Sequence, residues 1–137
     1  TSDQTTIAMS GLAAVIGGAV SMALGEYVSV SSQRDSERAM GLAKEMQVNP
    51  WSAAVASFLS FLLGAALPFA TALLAPASWR IAAIFMLTLV ALALTGALSA
   101  KLGEAPVARS VARIVVGGTM ALAATFAIGS LFGANVG

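Results

Sequence analysis

The sequence predicts an all-α, polytopic membrane protein, a bundle of transmembrane helices with four spans in this chain. Three observations carry that reading. Of the 137 residues, 58% are apolar and only 9% charged, whereas soluble chains hold about a quarter charged residues. The charges are gathered in a few places, leaving four stretches close to the roughly 20 residues with which a helix crosses a hydrocarbon core of about 30 Å. None of the four alternates apolar and polar residues as a barrel strand must, and Leu and Ala favour helix.

The expected spans are 7–28, 52–74, 81–100 and 111–134, in one transmembrane domain covering 1–137. Residues 1–6 are polar, with one acidic and no basic residue, unlike the basic start of a signal peptide. The connection 29–50 is the sizeable polar segment. Asn49-Pro50-Trp51 reads as N-cap, first-turn proline and interfacial aromatic for the second span. Pro68 lies inside that span and is expected to kink or end it. Pro76-Ala77-Ser78-Trp79-Arg80 reads as a tight turn, with Ser78 a candidate cap and Trp79 a second interfacial aromatic. Pro106 separates the last two spans. No repeat, low-complexity run or second domain is visible.

The basic residues orient the chain. Arg34, Arg38 and Lys44 lie in the first connection, and Lys101, Arg109 and Arg113 around the third; Arg80 alone lies in the second. Basic residues concentrate on the cytoplasmic side. Segments 29–50 and 101–110 are therefore expected in the cytoplasm and both termini outside, with Arg109 and Arg113 anchoring the last span at the headgroups.

Some chemistries are excluded. Without cysteine or histidine there are no disulfides, thiolate or imidazole ligands, or His-based catalysis. A net charge of +1 makes no case for nucleic acid. No phosphate loop, nucleophile elbow or paired catalytic carboxylates appear, so no enzyme is expected.

Glu26 is the one acid inside or bordering a span. Charges in membranes are costly and usually functional, although position alone leaves open an ordinary interfacial carboxylate. Met22, Glu26, Ser29, Gln33 and Glu37 share an arc of about 80° on a continuous helix. A ladder of thioether, carboxylate, hydroxyl and amide suits a divalent ion such as ferrous iron. A helix turning amphipathic as it leaves the bilayer would give the same pattern. Ala13, Gly17, Ser21 and Gly25, four residues apart, form a small-residue stripe for helix packing. Ser60, Gly64 and Pro68, and Thr125, Gly129 and Gly133, repeat the theme, while Met86 and Met120 read as packing or lipid-facing residues.

Gly18-Ala19-Val20-Ser21-Met22-Ala23-Leu24-Gly25-Glu26-Tyr27-Val28-Ser29-Val30-Ser31-Ser32-Gln33 closely resembles the second transmembrane helix of the vacuolar iron transporter family. Residues 51–69, ending Ala-Ser-Phe-Leu-Ser-Phe-Leu-Leu-Gly-Ala-Ala-Leu-Pro-Phe, resemble its third helix, and the last two spans fit its fourth and fifth. The resemblance implies a homodimer that moves ferrous iron, and often manganese, out of the cytoplasm in exchange for protons, with no permanently bound cofactor. It places Met22 and Glu26 on the ion path and Asp35 and Glu37 at acidic positions of its cytoplasmic extension. With Ser29 and Gln33, these two would form the cytoplasmic entrance. The expected location is a bacterial plasma membrane. Two departures stand out. The family's first helix, with its pore aspartate, has no counterpart from Thr1 onward. About ten residues, 40–49, stand where the family has an acidic helical metal-binding domain. The competing reading is a non-transporting scaffold or anchor, for instance for a ferritin-like partner, in which Met22 and Glu26 could be lost with little effect.

The charge count generates the first prediction. In intact cells or sealed vesicles, Ser36→Cys reacts with an impermeant thiol reagent only from the cytoplasmic side, and Ala134→Cys only from the other. Labelling of Ser36→Cys from outside would reverse the topology.

Overall fold

The computed structural model describes residues 2–133, with side chains from Gln4 onward. It contains four long α-helices: α1 Ser2–Ala39, α2 Pro50–Leu74, α3 Arg80–Leu102 and α4 Val107–Gly133. A 3-10 turn at Lys44–Met46 lies between the first two. All four are long and apolar enough to cross a membrane. The expected end of the last span, Ala134, lies outside the described residues.

The chain divides into two compact units, one up to Leu74 and one from Ala75. In the first, α1 and α2 form an antiparallel hairpin. Its register is fixed by contacts along its length. Gln4 Nε2 donates to the Leu73 carbonyl at 3.1 Å, and Tyr27 packs on Trp51 with ring centroids 4.8 Å apart. Between them, Gly11 faces Phe69 and Gly18 faces Phe61. A Cβ on Gly11 would fall 2.6 Å from the Phe69 ring, and one on Gly18 would collide with Phe61. The absent side chains let α1 approach those rings closely, the device that replaces the hydrophobic effect between helices in lipid.

In the second unit α3 and α4 repeat this design. A Cβ on Gly96 would lie 3.2 Å from the Val111 Cα, and one on Gly118 would strike Leu92. Phe85 and Phe126 meet edge to face, centroids 6.3 Å apart.

Among the described residues the buried apolar side chains are small: Ala19, Ala54, Ala83 and Ala100, with Pro50 at the start of α2. Large residues such as Leu63 and Leu74 are 77% and 83% exposed. So much apolar surface is untenable in water and suits hydrocarbon. Hydroxyls within the helices bond back to the carbonyl four residues earlier: Thr71 to Leu67 at 2.8 Å, Thr95 to Ala91 at 2.8 Å and Thr119 to Val115 at 2.7 Å. Each thereby hides its polarity from the lipid. The Thr88 hydroxyl is buried with no such partner among the described residues.

Helix ends show where local chemistry decides. α1 runs 11 residues past the expected limit of its span because nothing stops it before Gly41. There, with φ at +77°, the Gly41 amide donates to the Arg38 carbonyl at 3.0 Å and the Leu42 amide to Glu37 at 3.1 Å. This is a Schellman stop, and glycine meets its left-handed geometry without strain. Asn49 caps α2 as expected, its Oδ1 accepting from the Trp51 and Ser52 amides at 3.0 and 3.2 Å. α2 continues through Pro68 to Leu74 and does not end early. Ser78 does not cap α3: Trp79 holds the cap position with no side-chain bond, and Arg80 Nε donates back to the Ala75 carbonyl at 3.2 Å. α3 stops where Glu104 takes φ +52° and the Ala105 amide reaches the Ala100 carbonyl at 2.9 Å.

The hairpin contacts generate the second prediction. Gly18→Val should destabilise the detergent-solubilised protein by about 1–3 kcal/mol, the usual cost of overpacking, read as a lowered Tm. Gly17→Val, whose Cβ would meet nothing within 4 Å, should leave the hairpin intact. Equal effects of the two substitutions would refute this packing.

Candidate functional site

The hairpin covers some residues of α1 and leaves others exposed. Gly11, Gly18, Ala19 and Tyr27 face α2, whereas Met22, Glu26, Ser29 and Gln33 are exposed. Met22, at 48% exposure, and Glu26 lie on one face, about 6 Å apart along the axis. The Tyr27–Trp51 pair stands at the level where amphipathic rings meet headgroups. From Trp51 to Leu73, α2 rises about 33 Å, close to the thickness of the hydrocarbon core. Glu26 thus sits at the membrane boundary on the side of the 29–50 connection, and Met22 one turn farther in.

The outer part of the ladder is engaged. Gln33 Nε2 donates to Glu37 Oε1 at 2.9 Å, and Glu37 Oε2 accepts from the Val48 amide at 2.9 Å. Arg38 Nε donates to Gln47 Oε1 at 3.2 Å, and Gln47 Nε2 donates to the Leu42 carbonyl at 2.9 Å. These bonds fold the link 40–49 onto the end of α1. Asp35 is turned about 140° away from Met22 around the helix. Its nearest cation is Arg38, at 4.0 Å. The structure therefore brings Met22 and Glu26 onto one face and joins Gln33 to Glu37, but it separates Asp35 from them. Among the described residues no three acidic side chains gather closely enough to hold a metal ion.

Gly17 and Gly25 have open space where a Cβ would stand, and Ser21 is exposed. The stripe they form packs on nothing within its own unit, where Gly11 and Gly18 make the contact instead. Sequence reasoning also used Arg34 and Arg38 only to orient the chain. In the structure both line a pocket with Tyr27, Ser31, Asp35, Pro50 and Trp51. The signal was present, since residues 27, 31, 34 and 38 follow the four-three-four spacing of one helix face.

Comparison with known proteins finds similar chains. A family model described as the VIT family matches residues 1–48 and 37–130, and the two stretches overlap on the link between α1 and α2. Vacuolar iron transporter homolog 1 of Arabidopsis thaliana is 42% identical over 141 residues, covering 97% of this chain and 70% of the relative. Vacuolar iron transporter homolog 2 of the same plant is 41% identical, covering 96% and 70%. Vacuolar iron transporter homolog 1 of Oryza sativa subsp. japonica is 44% identical, covering 91% and 60%. The first alignment uses 97% of 137 residues in 141 positions. That leaves room for only about eight inserted residues, so this relative carries no extra domain between α1 and α2 either. No solved structure matches the chain.

The third prediction separates an anchoring from an ion-handling Glu37. Glu37→Ala removes the acceptor for the Val48 amide and should speed hydrogen exchange there by about tenfold, for a net bond of about 1–1.5 kcal/mol. Glu37→Gln keeps an acceptor oxygen and should retain most of the protection. Unchanged exchange at Val48 in Glu37→Ala would remove the anchoring role.

Proposed function

The chain belongs to the VIT family, and on that footing we propose that it forms the membrane part of a divalent-metal transporter carrying ferrous iron, and manganese with it, out of the cytoplasm in exchange for protons. The observation that carries this reading is the pairing of Met22 and Glu26, one turn apart and both exposed on α1. A carboxylate binds hard divalent ions, and a thioether adds affinity for a softer one such as ferrous iron. One turn apart at the membrane boundary, they form a two-step ladder that an ion can enter and leave. Relatives over 40% identical bear the name of iron transporter homologs, which supports iron as the cargo.

In this reading the 29–50 side faces the cytoplasm and both termini lie outside. Ser29 and Gln33 continue the path outward from Glu26, while Asp35 and Glu37 add negative charge around its entrance. Two copies assemble across the free face of α1, where Gly17, Ser21 and Gly25 permit close approach of a second helix. In a bacterial plasma membrane the ion leaves the cell. The plant relatives' names speak of a vacuole, whose lumen is the equivalent side.

The test is metal flux into proteoliposomes made with the complete protein. Glu26→Gln keeps size and polarity, and should lower ferrous flux by at least about tenfold, the scale on which even groups behind a metal ligand act. Met22→Leu should reduce ferrous flux more than manganese flux. Both variants should keep their melting temperature. Normal ferrous flux in the double variant would reject the ion path and favour the scaffold.

A further inference from the structure

Beside the free face of α1, the hairpin carries two cavities that meet at the same pair of rings. The first is an apolar groove of about 380 Å³ between α1 and α2, lined among others by Leu24, Ala54, Val55 and Phe58. The second is a polar pocket of about 200 Å³ whose walls include Ser31, Arg34 and Arg38. Tyr27 and Trp51 border both. Arg34 also lines a third cavity, of about 170 Å³, together with Lys44. Hydrocarbon-loving wall, amphipathic rings and basic wall thus follow one another along the helix axis, in the order of acyl chain, glycerol region and phosphate in a bilayer leaflet.

We propose that this composite groove holds an anionic phospholipid of the leaflet on the 29–50 side, with its phosphate at Arg34, Arg38 and Ser31 and an acyl chain between α1 and α2.

The charges favour an anion. Asp35 is the one acid on the pocket wall, set against two guanidinium groups. It lies 4.0 Å from Arg38, and that arginine's Nε is held by Gln47, so Arg34 is the freer cation. No ion pair or hydrogen bond involves the Arg34 side chain among the described residues. The α2 amides of Trp51 and Ser52 are taken by Asn49, which leaves the arginines as the charge that recognises the phosphate. Arginine forks bind phosphate oxygens in pairs. A free phosphate would satisfy the basic pocket but would leave the adjoining groove empty. A lipid fills both, which is why the occupant is a phospholipid. The inference needs the chain to be embedded in a membrane and nothing from the transported ion.

Trp51 reports on the site directly. The chain has two tryptophans, so Trp79→Phe leaves Trp51 alone. In proteoliposomes of the complete protein, brominated phosphatidylglycerol should quench Trp51 more strongly than brominated phosphatidylcholine at equal mole fraction. Arg34→Gln should lower the relative affinity for the anionic lipid about fivefold, the worth of one basic residue at a membrane surface. Because it breaks no hydrogen bond of the link, it should leave the circular dichroism unchanged. Adding Arg38→Gln should abolish the preference. Val55→Phe, which fills the groove, should reduce quenching by both lipids. In a Trp51→Phe background, Trp79 should show no response to the arginine changes. Equal quenching of Trp51 by the two lipids would overturn the proposal. So would a preference that survives loss of both arginines, or displacement of the lipid by millimolar inorganic phosphate.

Discussion

The close approach of α1 to α2 at Gly11 and Gly18 sets the rest of the first unit. In lipid there is no hydrophobic effect to press two helices together, so contact must come from shape. Each glycine removes the one atom that would stand against an aromatic ring of the partner. Two such contacts, seven residues apart on one helix and eight on the other, fix both register and rotation. With the rotation fixed, every other residue of α1 is assigned a side. Tyr27 meets Trp51, while Met22 and Glu26 remain exposed.

That division explains how one helix can serve two purposes. Its α2-facing side is small and apolar within the membrane, then turns basic at Arg34 beyond it. Its exposed residues include the carboxylate, the thioether and a second set of small residues. A carboxylate deep in hydrocarbon would be costly. Glu26 is instead level with the aromatic pair, where its head can meet water, and the thioether is the group set farther in. On the proposed ion path, this order of depth, charged outside and soft inside, would let an ion exchange its hydration shell in stages.

Much of this was legible in the sequence, and the exceptions have physical reasons. Four apolar helices, the Asn49 cap and the aromatic positions follow from composition and local chemistry, and local chemistry is what a sequence displays. The partner of a glycine is not local. Gly17, Ser21 and Gly25 form the more regular series, yet Gly11 and Gly18 make the contact, because Phe69 and Phe61 stand opposite them. Spacing shows where helices could approach, and the rings on the other helix decide where they do. Likewise Ser78 has the chemistry of a cap but lies one residue too early, and Trp79 takes the position. The length of α1 turned on Gly41, whose left-handed conformation ends the helix, and a lone glycine in a polar segment announces no such role. Glu37 looked like one more rung of a ladder until the fold brought Val48, eleven residues on, to its second oxygen.

The link 40–49 bears on what the membrane part needs. It is short, and it is closed by Glu37 to Val48, Arg38 to Gln47 and Gln47 to Leu42. The plant relative aligned over nearly the whole chain has no room for a domain there. A helical insert is therefore not required to join α1 to α2. An ion at Met22 and Glu26 would find two side chains there, whereas hard divalent ions take about six ligands. The remaining donors would be water or groups from beyond this hairpin.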